Sequence, residues 1–481
     1  MDRPEALSHW TGWKHYPTRT GWKHYPTWTG WKHYPTLAIP MNTDDEKSRR
    51  DEQAEGSARR IALRRGIDFL VGAQADDGGW HSGTYGALRG GASLTSLALN
   101  ALALAPPDMR KSLERPLSRA VEFLRRGLAR RRTIACPDGT LEYPVYATAL
   151  VLDAERRRPL GWTADERLVL IDYLIASQLT EDRGWPETHI EHGGWDVVGE
   201  PNSRGPSTGT NVSLVRHALE GLLVVVPIPR DAPGRQVTPT PSPPSESPVA
   251  RTDADARRSS RLEAAARRAS RWLAQVQDFS SLGDDNVDAK KNRESDDKDG
   301  AKNGVDKTRN TGGFCFSRSP ADEPKAGRDG PDGRPRSYRS ATLDGWRALT
   351  AAELLVRAVA SPSVFTEFQA KHKLDERRTA ARGWLARRPR RGDRPIDEGL
   401  DSEGAPVGWS ESLKFYDVAA EAGLNARRLA PERESWQTPE LSWLIDSQRR
   451  DGAWSNSATR MREDDPLIAT SLAVVALAES T

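Results

Sequence analysis

Four times in this chain an aromatic is followed by Leu and, five residues after the aromatic, by Gln: Phe69-Leu70…Gln74, Tyr173-Leu174…Gln178, Trp272-Leu273…Gln277 and Trp443-Leu444…Gln448. Three of these run straight into a Gly-containing turn before Trp, at Gly78-Gly79-Trp80, Gly184-Trp185 and Gly452-Ala453-Trp454. The fourth reaches Gly312-Gly313-Phe314 only after a long polar insertion. Two more aromatic-Leu pairs, Phe123-Leu124 and Trp384-Leu385, lack the Gln. Six copies of one unit restrict the chain to a repeat architecture before any other property is considered.

Each unit reads as two helices. Leu63, Ile67, Leu70 and Gln74 are spaced four, three and four, so they share one helical face. The glycine turn ends that helix. The following stretch, Ser93–Leu104, is apolar or small nearly all round, as a helix buried on every side must be. The last unit repeats the pattern with Leu441, Leu444, Ile445 and Gln448, then Leu467–Ala478. An amphipathic outer helix thus alternates with a buried inner one. Six such hairpins predict an all-α, two-layer α/α toroid. An open solenoid would need polar capping repeats, and the last inner helix is apolar.

Two stretches interrupt the pattern. The region near 227–256 is Pro/Ser-rich, and 278–311 is highly charged with almost no apolar residues. Both are expected to be disordered surface insertions. Thr11–Thr18, Thr20–Thr27 and Thr29–Thr36 are identical copies of Thr-Gly-Trp-Lys-His-Tyr-Pro-Thr, without apolar periodicity. Residues 1–56 are therefore expected to be a disordered N-terminal region, and 57–481 the toroid. The histidines of the short repeat allow a weak metal-binding reading; a recent duplication, or translated sequence ahead of a start at Met41, is the preferred explanation.

The 71 Lys+Arg against 68 Asp+Glu form no basic stripe with interleaved aromatics, so no nucleic-acid partner is expected. Two cysteines make no disulfide framework, and no run approaches the ~18 apolar residues of a membrane span. A cytoplasmic location without cofactor or metal is the expectation.

The stretch Arg65–Gln74 with Gly79-Trp80, and Ser442–Trp454, resemble the Gln-Trp repeat of squalene and oxidosqualene cyclases. The same repeat occurs in the β subunits of protein prenyltransferases, which share the α/α toroid. The resemblance covers roughly Ser57 to Thr481 and implies that Gln74, Trp80, Gln178, Trp185, Gln448 and Trp454 tie neighbouring outer helices together. It also directs attention to three chemistries. Class II cyclases protonate their substrate with an Asp-x-Asp-Asp-Thr cluster, which is absent. The nearest feature is Glu463-Asp464-Asp465-Pro466, where Asp464 and Asp465 are candidate acids. The same residues also read as an N-cap and a first-turn proline.

Few aromatics remain for a carbocation pocket once the terminal copies and repeat positions take theirs. The Asp-x-Cys zinc pair of the prenyltransferases is missing as well. A third reading is a polysaccharide-cleaving ring with two carboxylates, although the Gln-Trp signature does not belong to those rings. Inner-helix segments nonetheless carry Glu142, Arg216, His217, Asp344, Arg347, Glu411, Lys414 and Tyr416. Charges there are costly unless they face a wet lumen. Glu142, His217, Asp344 and Tyr416 are the candidate ligand-binding residues. The expected function is a non-cyclase toroid binding a small or isoprenoid-like ligand, with a divergent terpenoid cyclase as the alternative. Whether a second subunit takes part is left open.

Overall fold

Apolar residues at helical spacing, punctuated by glycine turns, build a molecule whose regular elements are all helices among the described residues. The computed structural model describes residues 43–197, 209–226, 253–279, 312–318, 337, 339–387, 412–426, 441–459 and 461–480. The chain divides into two units, Met1–Asp51 and Glu52–Thr481. The short repeats lie outside the described residues, and the architecture below belongs to the second unit.

Thirteen helices follow in order among the described residues: α1 (Thr43–Gly72), α2 (Ala92–Ala103), α3 (Arg110–Arg131), α4 (Pro144–Arg157), α5 (Ala164–Ala176), α6 (Val212–Leu222), α7 (Asp253–Val276), α8 (Arg339–Val359), α9 (Pro362–His372), α10 (Leu374–Arg387), α11 (Lys414–Ala426), α12 (Leu441–Asp446) and α13 (Pro466–Glu479). Local chemistry sets several starts. Thr163 and Glu166 form a reciprocal capping box at α5, Asn211 caps α6, and Asp465 caps α13 ahead of Pro466.

The inner helices are α2, α4, α6, α8, α11 and α13. Each packs on the next in that order, and α13 packs back on α2. The ring is therefore closed, and the fold is an α/α toroid. No described helix is long and apolar enough to cross a membrane.

The outer layer is tied by one device used four times. Gln74 Nε2 donates to Gly78 O, 2.9 Å, and to Pro116 O on α3, 2.9 Å. Gln178 does the same to Gly193 O and to Ala265 O on α7, both 2.9 Å. Gln277 reaches Gly312 O and Arg377 O on α10. Gln448 reaches Gly452 O and Ala62 O on α1, which closes the outer layer. Each of these glycines has positive φ, between 78° and 92°. A Cβ on any of them would lie 2.3–2.5 Å from a carbonyl oxygen of the neighbouring outer helix, so the close approach and the backbone both require glycine.

The aromatic after each turn completes the lock. The indoles of Trp80, Trp195 and Trp454 donate at 2.7 Å to Leu70 O, Leu174 O and Leu444 O, the leucines of the aromatic-Leu pairs. Their backbone N–H groups, and that of Phe314, donate to Thr95, Thr210, Thr470 and Thr342 at the starts of inner helices. Phe314 has no N–H in its ring and keeps only the second contact.

Three expectations need correction. The lock of the third repeat is formed by Trp195, not Trp185. Trp185 is half-buried against His189, with ring centroids 4.5 Å apart, because Gly193-Gly194 approaches α7 and Gly184 does not. Second, α1 begins at Thr43, inside the stretch expected to be disordered. Residues 53–55 are exposed, so helix propensity carries that turn without a packed face. Third, 253–256 form the first turn of α7 and do not belong to a loop. The remainder of that insertion lies outside the described residues, as does 280–311. Asp278 O accepts from Gly312 N at 2.7 Å and Asp278 N donates to Gly313 O at 2.8 Å, so the second insertion leaves and rejoins the ring at one point.

Candidate functional site

Inner helices are largely buried along their middles. Leu97, Tyr146, His217, Tyr416, Leu472 and Val475 are half-buried there, and all of them line a central cavity of about 360 Å³. The lining repeats at helical spacing: Ile468, Leu472, Val475 and Glu479 on α13, and Ser213, Arg216, His217 and Glu220 on α6. Residues that precede the inner helices, among them Leu88, Tyr143, Phe316 and Met461, line the N-terminal end of this lumen.

The two sides of the lumen differ. Leu94 and Leu97 on α2, with Ile468, Leu472 and Val475 on α13, make an aliphatic wall. Facing elements α6, α8 and α11 bring three of the expected binding residues together. The Tyr416 hydroxyl donates to Asp344 Oδ2 at 2.6 Å and accepts from Arg216 Nη2 at 3.1 Å. With its proton committed to the carboxylate, it also accepts from Ser213 Oγ, 2.7 Å away. Arg216 Nε lies 2.8 Å from Asp344 Oδ1, and Arg216 also contacts the neighbouring His217 Nε2. Burial pushes the Asp344 carboxyl up, against the pull of Arg216 and of the Tyr416 hydroxyl. His217 is held well below the usual imidazole range, by burial first and then by Arg216. It is a neutral base.

A belt of ion pairs closes in below this cluster. Arg347 grips Glu220 through Nε at 2.8 Å and Nη2 at 3.0 Å. Arg157 pairs with Asp153 at 2.8 Å and with Glu479. Asn100 donates to Asp153, and Arg339 pairs with Glu421 at 3.0 Å. Asp153, Arg157, Glu220 and Glu479 were not among the sequence candidates. Their signal was present, since Arg157 follows Asp153 and Glu220 follows Arg216 by four residues, one helical turn.

Glu142 is placed elsewhere. Its carboxylate accepts from Gly90 N at 2.6 Å and faces Ser93 N, supplying the N-terminal cap that Gly91 cannot give α2. It lines a separate cleft of about 570 Å³ with Arg89, Asp138 and Thr140. Asp464 and Asp465 do not line the lumen either, although Glu463 does. Asp465 caps α13 through Leu467 N, 2.9 Å, and accepts from Ser82 Oγ. Asp464 accepts from the Tyr85 hydroxyl, which is pushed up to about 12 by burial and by that bond. Both carboxylates stitch the last repeat to the first.

At the lumen rim the Arg462 guanidinium lies 5.3 Å from the Tyr85 ring and 5.5 Å from the Tyr143 ring. Tyr143 and Arg462 both adopt positive φ, 45° and 63°, at a cost of about 1–2 kcal/mol each. Cys136 and Cys315 are buried, with thiols pushed up to about 12 chiefly by burial, so neither is a ready nucleophile. Among the described residues no three His, Cys, Asp or Glu side chains converge to hold a metal. Glu411 lies outside the described residues, and Lys414 is half-exposed without lining the lumen.

No protein-family model matches this chain, and no curated protein does. The chain is similar to several solved structures, among them the following two. One is a type II terpene cyclase, MstE from Scytonema, in complex with merosterolic acid A. It is 12% identical, with 89% of this chain and 98% of that chain covered, at a TM-score of 0.42. The other is an α-1,6-mannanase of Salegentibacter in complex with α-1,6-mannotriose. It is also 12% identical, with 88% and 98% covered, at a TM-score of 0.43.

Proposed function

We propose that this chain is a ligand-binding toroid of the Gln-Trp repeat kind, whose lumen takes one elongated, mostly apolar small molecule of isoprenoid-like character. The observation that carries the reading is the half-buried aliphatic stripe of Leu97, Leu472 and Val475, set opposite Tyr416, Asp344 and His217 inside a closed ring. A core built only for stability would bury these aliphatic groups against one another. The lumen lies at the low end of the usual range for ligand pockets, roughly 300–1,000 Å³, which favours shorter chains over a triterpene. Farnesol titrated into the protein should raise its melting temperature. Leu97→Trp and Leu472→Trp, which fill the lumen from two neighbouring helices of the aliphatic wall, should abolish the rise. An unchanged rise in both variants refutes the lumen as the site.

A second reading, a divergent terpenoid cyclase, has one observation in its favour. A buried lumen carboxyl, Asp344, is pushed toward its protonated form. The engagements of Asp464 and Asp465 do not favour their use as the acid. Incubation with squalene and with shorter isoprenoid diphosphates, read by mass spectrometry, separates the two readings. Products that vanish in Asp344→Asn support a cyclase. Products that vanish only in Asp464→Asn/Asp465→Asn restore the acidic pair.

A further inference from the structure

Resting on the lumen as a binding site, we infer that its ligand ends in an uncharged hydrogen-bond acceptor, an alcohol or carbonyl oxygen, received by the imidazole N–H of His217. The reasoning starts from the guanidiniums, which are the natural receivers of an anionic head. Below the rim, Arg216, Arg347, Arg157 and Arg339 line the lumen, and each is paired to a carboxylate: Asp344, Glu220, Asp153 with Glu479, and Glu421 respectively. Arg462, the fifth lumen guanidinium, sits at the rim over the Tyr85 and Tyr143 rings. Drawing any of the four paired ones to a ligand anion would strand a buried carboxylate. That exchange gives no net gain. The same pairs neutralise those carboxylates against a cationic head.

His217 differs from them. Arg216 can only donate, so the His217 Nε2 that it contacts must present its lone pair. A neutral imidazole with an accepting Nε2 carries its proton on Nδ1. His217 is half-exposed where its helix meets the lumen, with Tyr146 edge-on at 5.5 Å to hold the ring. The hydroxyls nearby are occupied, Tyr416 by Asp344 and Tyr146 by Asn211. The imidazole thus offers a neutral donor across the lumen from the aliphatic wall, matched to a ligand with an apolar body and one neutral oxygen.

Four probes with one tail test this: 1-decanol, 2-decanone, decanoate and decyltrimethylammonium, each titrated calorimetrically below its micellar concentration. Naphthalene, followed by fluorescence, serves as an apolar probe without an acceptor. Decanol and decanone should bind at least tenfold more tightly than either ion. His217→Phe should lower decanol affinity about tenfold and leave naphthalene unchanged, whereas His217→Gln, which keeps a donor, should retain decanol. If no probe binds, naphthalene included, the lumen reading itself falls. If naphthalene binds and decanoate outcompetes decanol, only the present inference falls. Loss of that decanoate binding in Arg462→Gln would place an anionic head at the rim instead. Tightest binding of the ammonium probe also overturns the inference, as does equal loss of naphthalene and decanol in His217→Phe.

Discussion

Gln178 gives the strongest test of how the two layers are held. Its side chain is fully buried. It donates to Gly193 O and Ala265 O at 2.9 Å each and accepts from Arg268 Nε at 3.0 Å. Gln178→Ala removes all three bonds, each worth about 1 kcal/mol net. It also leaves the turn carbonyl of Gly193 without its side-chain donor, for roughly 1 kcal/mol or more. The expected loss is about 3–5 kcal/mol. A ring of this length unfolds with an entropy that converts each kcal/mol into about 1 °C, so calorimetry should show a fall of roughly 3–5 °C. Gln178→Glu keeps the size but turns a carboxylate oxygen onto two carbonyl oxygens, and should cost at least as much. A fall below about 1 °C in Gln178→Ala, or a near-neutral Gln178→Glu, would refute the strut and leave packing alone as the tie between α5 and α7.

Trp195→Phe should lose the indole bond to Leu174 O and destabilise by about 1–2 kcal/mol, while Trp185→Phe should stay within about 0.5 kcal/mol; chemical denaturation of the two variants checks the reassignment. Asp465→Ala should cost about 1–2 kcal/mol through its lost cap and its bond to Ser82, read by the same assay. His372 is held at about 4, by burial and then by Arg267 and neighbouring cations. The unfolded chain therefore takes up a proton near pH 6.5 that the fold refuses. Stability is full above that pH and declines as pH falls toward 4, by about 2 kcal/mol at pH 5 from this residue. His372→Gln should flatten the decline between pH 7.5 and 5, and an unchanged slope would refute the assignment.

Much of the ring was readable because its determinants are local. The aromatic-Leu-Gln spacing places the Leu carbonyl and the Gln amide at one helix end, and a glycine turn must follow if that end is to meet a neighbour. The misreading of Trp185 shows the limit of proximity. The functional turn of the third repeat, Gly193-Gly194-Trp195, comes later in the chain than the nearer Gly184-Trp185. Its better signals are the Gly-Gly pair, shared with Gly78-Gly79 and Gly312-Gly313, and the Thr that follows. Thr95 lies fifteen residues after Trp80, and Thr210 lies fifteen after Trp195.

The site was less legible. Arg216, His217, Asp344 and Tyr416 were visible as charges and polar groups on helices too apolar to tolerate them without a lumen. Glu142 had the same appearance and turned out to cap α2 from the next repeat. What distinguishes it is which way the Gly90–Ser93 turn faces, a relation between residues some fifty positions apart.

By itself, then, the sequence determined the repeat, the alternation of outer and inner helices, and the presence of polar groups on the buried layer. These follow from periodicity and turn chemistry within a few residues. The pairing of Arg216 with Asp344 and of Arg157 with Glu479, and the contrast between aliphatic and charged lumen walls, were decided by tertiary structure alone. Each of those depends on the rotation of one inner helix against another. That rotation is set by the packing of the whole ring, and no local stretch of chain encodes it.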